Sequence, residues 1–84
     1  MKQIIEIAPL VDYYVVVVKD KLTGALVESF TLNESATDML RLICDGKDSE
    51  TIAQEIANKY EAPIQLITTD VAKLKNKLRQ KGLL

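Results

Sequence analysis

The segment that most constrains the fold of this chain is YYVVVV, Tyr13 to Val18, an unbroken run of aromatic and β-branched residues. Residues of these types favour an extended backbone, so the run predicts a β-strand. The turn segment KDKLTG follows and ends at Gly24, and ALVESFTL then alternates as a half-buried strand does. We therefore expect an antiparallel hairpin, preceded by a short strand from Ile4 to Ile7 that Pro9 ends.

After this region the apolar residues recur at spacings of three and four, which is the period of an amphipathic helix. Asn33 or Ser35 is expected to cap the first helix, and Asp38 stands three residues after Ser35, as in a capping box. Gly46 is expected to end this helix, because glycine readily adopts the left-handed conformation found there.

Two further helices follow from the same spacing. Asp48 or Ser49 is expected to cap the second, and Pro63 to separate it from the third. Because strands precede helices without a linker, we predict an α+β fold in a single domain, residues 1–84. The apolar stripes expected to be buried are Ala36, Met39, Leu40 and Ile43, then Ile52, Ala53, Ile56, Ala57 and Tyr60, and then Ile64, Ile67, Val71, Leu74 and Leu78.

The composition argues against an enzyme. The chain has no His and one Cys, and its three glycines are isolated, so it lacks the usual general base, metal-ligand sets and phosphate loops. Cys44 lies beside Leu42 and Ile43 and is expected to be a small buried core residue. We therefore predict no catalysis, no metal and no cofactor. No signal segment or membrane-length apolar run is present, so a cytoplasmic location without membrane contact is expected.

Basic residues near the end of the third helix leave a DNA-binding winged helix as an alternative, namely Lys73, Lys75, Lys77, Arg79 and Lys81. Cations at a helix C-terminus also complement the helix dipole, which gives a simpler explanation. The net charge of −1 and the absence of basic residues from IQLITTD, at the start of this helix, further disfavour nucleic acid as a partner.

The second strand is apolar on both faces. Tyr13, Val15 and Val17 alternate with Tyr14, Val16 and Val18, whereas three short helices are expected to cover only one face of a small sheet. We expect the Tyr14, Val16 and Val18 face to be covered by the N-terminal segment, a second copy of the chain or a partner protein, and the alternative is that the helices wrap further around the sheet than expected. A structural dimerisation module, and thus a homodimer, is a further alternative.

Three segments together resemble the pyrroloquinoline-quinone biosynthesis protein D (PqqD) family. They are LNESATDMLRLICDG, Leu32 to Gly46, then TIAQEIANKYEAP, Thr51 to Pro63, and TDVAKLKNKLRQKGLL, Thr69 to Leu84. The resemblance implies a winged helix-turn-helix-like domain with a three-stranded antiparallel sheet followed by three helices. It also implies a recognition element that binds the leader of a ribosomally made precursor peptide and presents it to a modifying enzyme, often a radical-SAM protein.

An open strand edge suits that function, because an extended peptide can pair with it as an additional strand. We predict that the leader pairs along the third strand and places its side chains in a groove against the third helix. Lys73 and Lys77 are expected to meet acidic leader residues. The predicted peptide-binding residues are Leu26, Val27, Glu28, Ser29, Phe30, Thr31, Asp70, Lys73, Leu74, Lys77 and Leu78.

Overall fold

In a computed structural model that describes residues 3–84, a sheet precedes a set of helices. The strands are β1 (Gln3–Pro9), β2 (Tyr14–Asp20) and β3 (Leu26–Leu32), and the helices are α1 (Glu34–Cys44), α2 (Ser49–Tyr60) and α3 (Ile64–Gln80). The chain divides into a compact unit that ends at Glu34 and a second that runs from Ser35 to Leu84. The element order confirms the predicted α+β fold of three antiparallel strands followed by three helices.

The three strands pair in the order β1-β2-β3, with β2 in the centre. Val16 and Val18, which share one face of β2, are both 0% exposed. Neither a second copy of the chain nor a partner protein is needed to cover these two residues. Both side chains are already buried within the single chain, and β1 pairs beside β2 as a neighbouring strand, with Ile5 opposite Val18.

The turn between β2 and β3 forms as the sequence predicts. Asp20 accepts hydrogen bonds from the backbone N–H groups of Leu22 (2.9 Å) and Thr23 (3.0 Å), and Gly24 adopts a positive φ of 72°. These bonds, first that from Thr23 and then that from Leu22, hold the pKa of Asp20 below its ordinary value because they favour the charged carboxylate. The aspartate therefore fixes the turn that sets the register of the hairpin.

The helix boundaries also follow from local sequence. The Asp48 side chain accepts a 2.8 Å hydrogen bond from the backbone N–H of Thr51, which confirms Asp48 as the cap of α2. Pro63 precedes α3 as predicted. At the end of α1, Gly46 has a φ of 84° and Lys47 donates a backbone hydrogen bond to Leu42, as in a glycine-terminated helix.

Most residues of the predicted helical stripes are buried, but Ala36, Ile43 and Tyr60 are only half-buried. Thr37 is fully buried although it is polar, and Ile64 is exposed at the first turn of α3. Cys44 is exposed at the last residue of α1, so the prediction of a buried core cysteine is wrong: the helix ends there and its stripe does not continue. The buried apolar residues of the helices are Met39, Leu40, Ile52, Ala53, Ile56, Ala57, Ile67, Val71, Leu74 and Leu78. No helix formed by residues 3–84 is both long and apolar enough to cross a bilayer.

Candidate peptide-binding site

The outer edge of β3 is the main-chain surface on which the predicted site depends. β3 pairs with β2 on one side, and no strand formed by residues 3–84 pairs with its other side. β1 presents the second open edge of the same sheet and ends in Pro9, which has no backbone N–H to donate. An unpaired edge offers N–H and C=O groups in the spacing that another extended chain requires.

The pairing register indicates which β3 residues point their backbone groups outward. Residues that direct their backbone groups to one neighbour and to the other alternate along an antiparallel strand. Asp20 directs its groups toward β3, because its N–H donates to the carbonyl of Ala25 and its carbonyl accepts from the N–H of Gly24. The register shifts at Val27, so Val18 pairs with Glu28 while Lys19 pairs with Leu26. With that bulge counted, Ser29 and Thr31 belong to non-bonded pairs and direct their N–H and C=O groups to the open edge.

The side chains of β3 alternate between the two faces. Glu28 and Phe30 are half-buried, on the same side as the buried Leu32, whereas Ser29 and Thr31 are exposed. Leu26 and Val27, next to the bulge, are 64% and 53% exposed. The start of β3 therefore exposes apolar surface next to the bulge. The bulge itself was not predicted, because no Gly or Pro marks it in the sequence.

The predicted α3 residues fall into two groups. Leu74 and Leu78 are buried, at 6% and 1% exposure, and belong to the interior of the chain. Asp70, Lys73 and Lys77 are exposed and recur at spacings of three and four, which places them along one side of α3. Only this second group can be reached by a peptide from solvent.

The Asp38 side chain of α1 has partners on two helices. The Asp38 carboxylate accepts hydrogen bonds from Lys59 (2.7 Å) and from the Tyr60 hydroxyl, and Arg41 lies 3.5 Å away. Burial alone would raise the pKa of Asp38, but the bonds from Lys59 and Tyr60 and the charge of Arg41 outweigh it, so the pKa is lowered. The capping-box expectation for Asp38 is wrong, because its carboxylate reaches α2 instead of the start of its own helix.

Cys44 is the only thiol, and its environment does not activate it. Partial burial of the sulfur raises the pKa of Cys44, and the negative charge of Asp45 raises it further. A raised pKa keeps the thiol protonated at neutral pH, where the thiolate would be the nucleophile.

The fold and the open edge define a class of small α+β domains that can bind an extended peptide by strand addition. This chain belongs to the PqqD family: the family model described as "Coenzyme PQQ synthesis protein D (PqqD)" matches residues 20–84, which include β3 and all three helices. A comparison with curated protein sequences gave no match.

Among solved structures, the chain is similar to one described as "TbiB1 in Complex with the TbiA(beta) Leader Peptide". The two are 26% identical, with a TM-score of 0.70, and the similarity covers 100% of this chain and 94% of the other. The similarity therefore includes the sheet as well as the helices. That protein was observed with a leader peptide bound.

Proposed function

We propose that this protein binds the leader segment of a ribosomally synthesised precursor peptide and presents the peptide to a modifying enzyme, such as a radical-SAM protein. Family membership and similarity to a leader-bound structure support this proposal. The observation that carries it is the open edge of β3, where Ser29 and Thr31 direct unpaired backbone groups outward. The protein acts here by binding, and the modifying enzyme carries out the chemistry.

The leader pairs with β3 as an additional strand. Each main-chain hydrogen bond contributes about 1 kcal/mol net, so several bonds together with apolar contacts are needed for useful affinity. The exposed Leu26 and Val27 side chains supply apolar contact area at one end of the strand. The predicted strand contacts remain Leu26, Val27, Glu28, Ser29, Phe30 and Thr31.

The exposed residues of α3 form a second predicted contact, which is tested separately. Lys73 and Lys77 carry positive charge on the same side of the helix as Asp70. Acidic leader residues would be attracted to these lysines, mainly through faster association at low salt. Leu74 and Leu78 act in this proposal by fixing the helix in place, since both are buried.

The side-chain chemistry is consistent with a binding protein. The chain has no His, the raised pKa of Cys44 keeps its thiol protonated, and the Asp38 carboxylate is held by Lys59 and Tyr60. Main-chain pairing requires no acid, base or nucleophile.

The proposal is tested by searching the neighbouring genes for a short precursor peptide and titrating its leader segment calorimetrically against the full chain. We expect saturable binding with a stoichiometry of one leader per chain, and no change in the peptide mass after prolonged incubation. A scrambled leader of the same composition is the control. Equal binding of both peptides, or a change in peptide mass without an added enzyme, would contradict the proposal.

A further inference from the structure

The open edge of β1 has few of the features that keep strand edges from pairing. Proteins usually protect an open edge with lysines, prolines or bulges. β1 pairs with β2 without a register shift, and its proline, Pro9, is its last residue. Its single charged residue is Glu6, whose carboxylate lies 3.2 Å from the Lys19 ammonium on β2. The segment from Gln3 to Ile7 therefore presents a regular and largely aliphatic edge.

The backbone groups that β1 directs outward follow from the same alternation as on β3. Asp20 directs its groups toward β3, so the preceding residue, Lys19, directs its groups toward β1 and forms a bonded pair with Ile4. Every second residue of β1, counted from Ile4, faces β2 in this way. The residues that direct their N–H and C=O groups to the open edge are therefore Gln3, Ile5 and Ile7.

This edge is complementary to itself when a two-fold axis relates two copies of the chain. If Ile5 lies opposite the partner's Ile5, then Gln3 lies opposite the partner's Ile7. Every outward-facing residue then meets another outward-facing residue, and each such pair exchanges both of its backbone hydrogen bonds. Pro9, which has no N–H to donate, falls outside the paired segment.

The side chains and charges fit this register. The two Ile5 side chains form an aliphatic cross-strand pair. Ile4, which is 44% exposed, lies opposite the partner's Glu6, and each Glu6 is neutralised by Lys19 of its own sheet. The next register in phase would place Glu6 opposite the partner's Glu6 and bring Pro9 into the paired segment. Repulsion between like charges disfavours that alternative.

The open edge of β3 is less suited to a second copy. The bulge at Val27 interrupts its regular spacing, and the outward-facing residues beyond the bulge are Ser29 and Thr31. β1 has no bulge and offers a longer regular edge. The longer edge therefore suits an identical strand, and the edge of β3 remains for the leader.

We propose that the protein forms a homodimer in which the β1 strands of two copies pair antiparallel about Ile5. The pairing joins the two three-stranded sheets into one continuous sheet. Both β3 edges stay open at the far ends of this sheet, so each copy keeps its own leader site. An interface of one strand per copy is small, and the dimer is therefore a reversible one.

Sedimentation velocity of the full chain tests the dimer. We expect the apparent mass to rise from that of the 9.4 kDa chain toward twice this value between about 10 µM and about 1 mM, the range of a weak association. Ile5→Pro removes the N–H at the centre of the interface and should keep the chain monomeric throughout. Ile5→Val keeps that N–H and should dimerise as the wild type does. A wild-type chain that stays monomeric at the highest concentration would overturn the proposal.

A mixture of ¹³C-labelled and unlabelled wild-type chains tests the register. The Hα atoms of non-bonded partners approach closely across an antiparallel pair, so we expect an intermolecular nuclear Overhauser effect between Ile4 and the partner's Glu6. This measurement requires no variant and decides the matter even if Ile5→Pro does not fold. Intermolecular contacts that involve β3 or the helices, without the contact between Ile4 and the partner's Glu6, would overturn the proposal.

Leader binding separates the two edges of the sheet. Ser29→Pro should weaken leader binding but leave dimerisation unchanged, whereas Ile5→Pro should abolish dimerisation and leave leader affinity unchanged. Loss of the dimer in Ser29→Pro with its retention in Ile5→Pro would assign the interface to β3 and overturn the proposal. A leader that dissociates the wild-type dimer would show that the leader occupies β1, which would also overturn it.

Discussion

At the scale of single residues, Asp38 is a largely buried carboxylate that depends on partners from two helices. Its side chain is only 15% exposed, and its carboxylate binds Lys59 and Tyr60 of α2 as well as Arg41 of its own helix. The sequence predicts a local capping box for Asp38, because the spacing of residues along one helix carries no information about contacts with a second helix. Local patterns alone did predict Asp48 and Gly46 correctly, since each acts on its own helix end.

We expect Asp38→Asn to lower the free energy of unfolding at pH 7 by about 1–2 kcal/mol, the range for hydrogen bonds to a charged group. The folded-state pKa of Asp38 lies below its ordinary value of about 3.9, so the contribution is complete above that pH and is lost as the pH falls through the folded-state pKa. Urea unfolding at pH 7 and pH 3 measures the difference. Glu55→Gln is the control and should change stability by less than about 0.5 kcal/mol. A penalty for Asp38→Asn that is the same at both pH values would contradict this account.

At the scale of elements, the alternating sequence predicts that β3 is a strand. Whether β3 can bind a peptide depends on which of its two edges is already paired with another strand. Alternation identifies a strand whether it is central or at an edge, and only the observed order β1-β2-β3 shows that one side of β3 is open. The sequence likewise predicted α3 through its buried stripe. It assigned Leu74 and Leu78 to both the core and the peptide site, and the structure places them among the buried residues.

We expect Ser29→Pro to weaken leader binding at least ~10-fold, because it removes an outward N–H and puts a ring where the added strand would lie. Ser29→Ala keeps the backbone N–H and should bind as the wild type does. Gln3→Pro makes the corresponding change on the open edge of β1 and should also bind normally. Circular dichroism must show that each variant is folded. A larger loss of affinity from Gln3→Pro than from Ser29→Pro would assign the peptide to β1.

The exposed lysines of α3 should contribute to leader binding mainly through long-range electrostatic attraction. We expect Lys73→Glu to weaken leader binding by about two- to five-fold at low salt and to have little effect above ~0.5 M salt, where exposed charges are screened. Lys47→Glu, on the exposed segment between α1 and α2, is the matched control. An effect of Lys73→Glu that persists unchanged at high salt would show that its role is not electrostatic.

At the scale of the whole molecule, the sequence predicts one domain over residues 1–84, while backbone contacts distinguish two compact units. The unit that ends at Glu34 is smaller than the ~40 residues below which chains usually need extra stabilisation to fold alone. We therefore expect one cooperative unfolding transition. Hydrogen exchange with denaturant should give the same global free energy for Val16 in β2 and Ile56 in α2. Clearly different global values would show that the two units unfold independently.

Hydrogen exchange on the leader complex tests the central claim, strand addition at β3, most directly. Ser29 and Thr31 direct their N–H groups to the open edge, so their amides should exchange rapidly in the free protein and become strongly protected when the leader binds. The amides of Gln3, Ile5 and Ile7, which face the open edge of β1 by the same alternation, should not change. Protection of the β1 amides, or of α2 alone, with Ser29 and Thr31 still exchanging rapidly, would contradict the account.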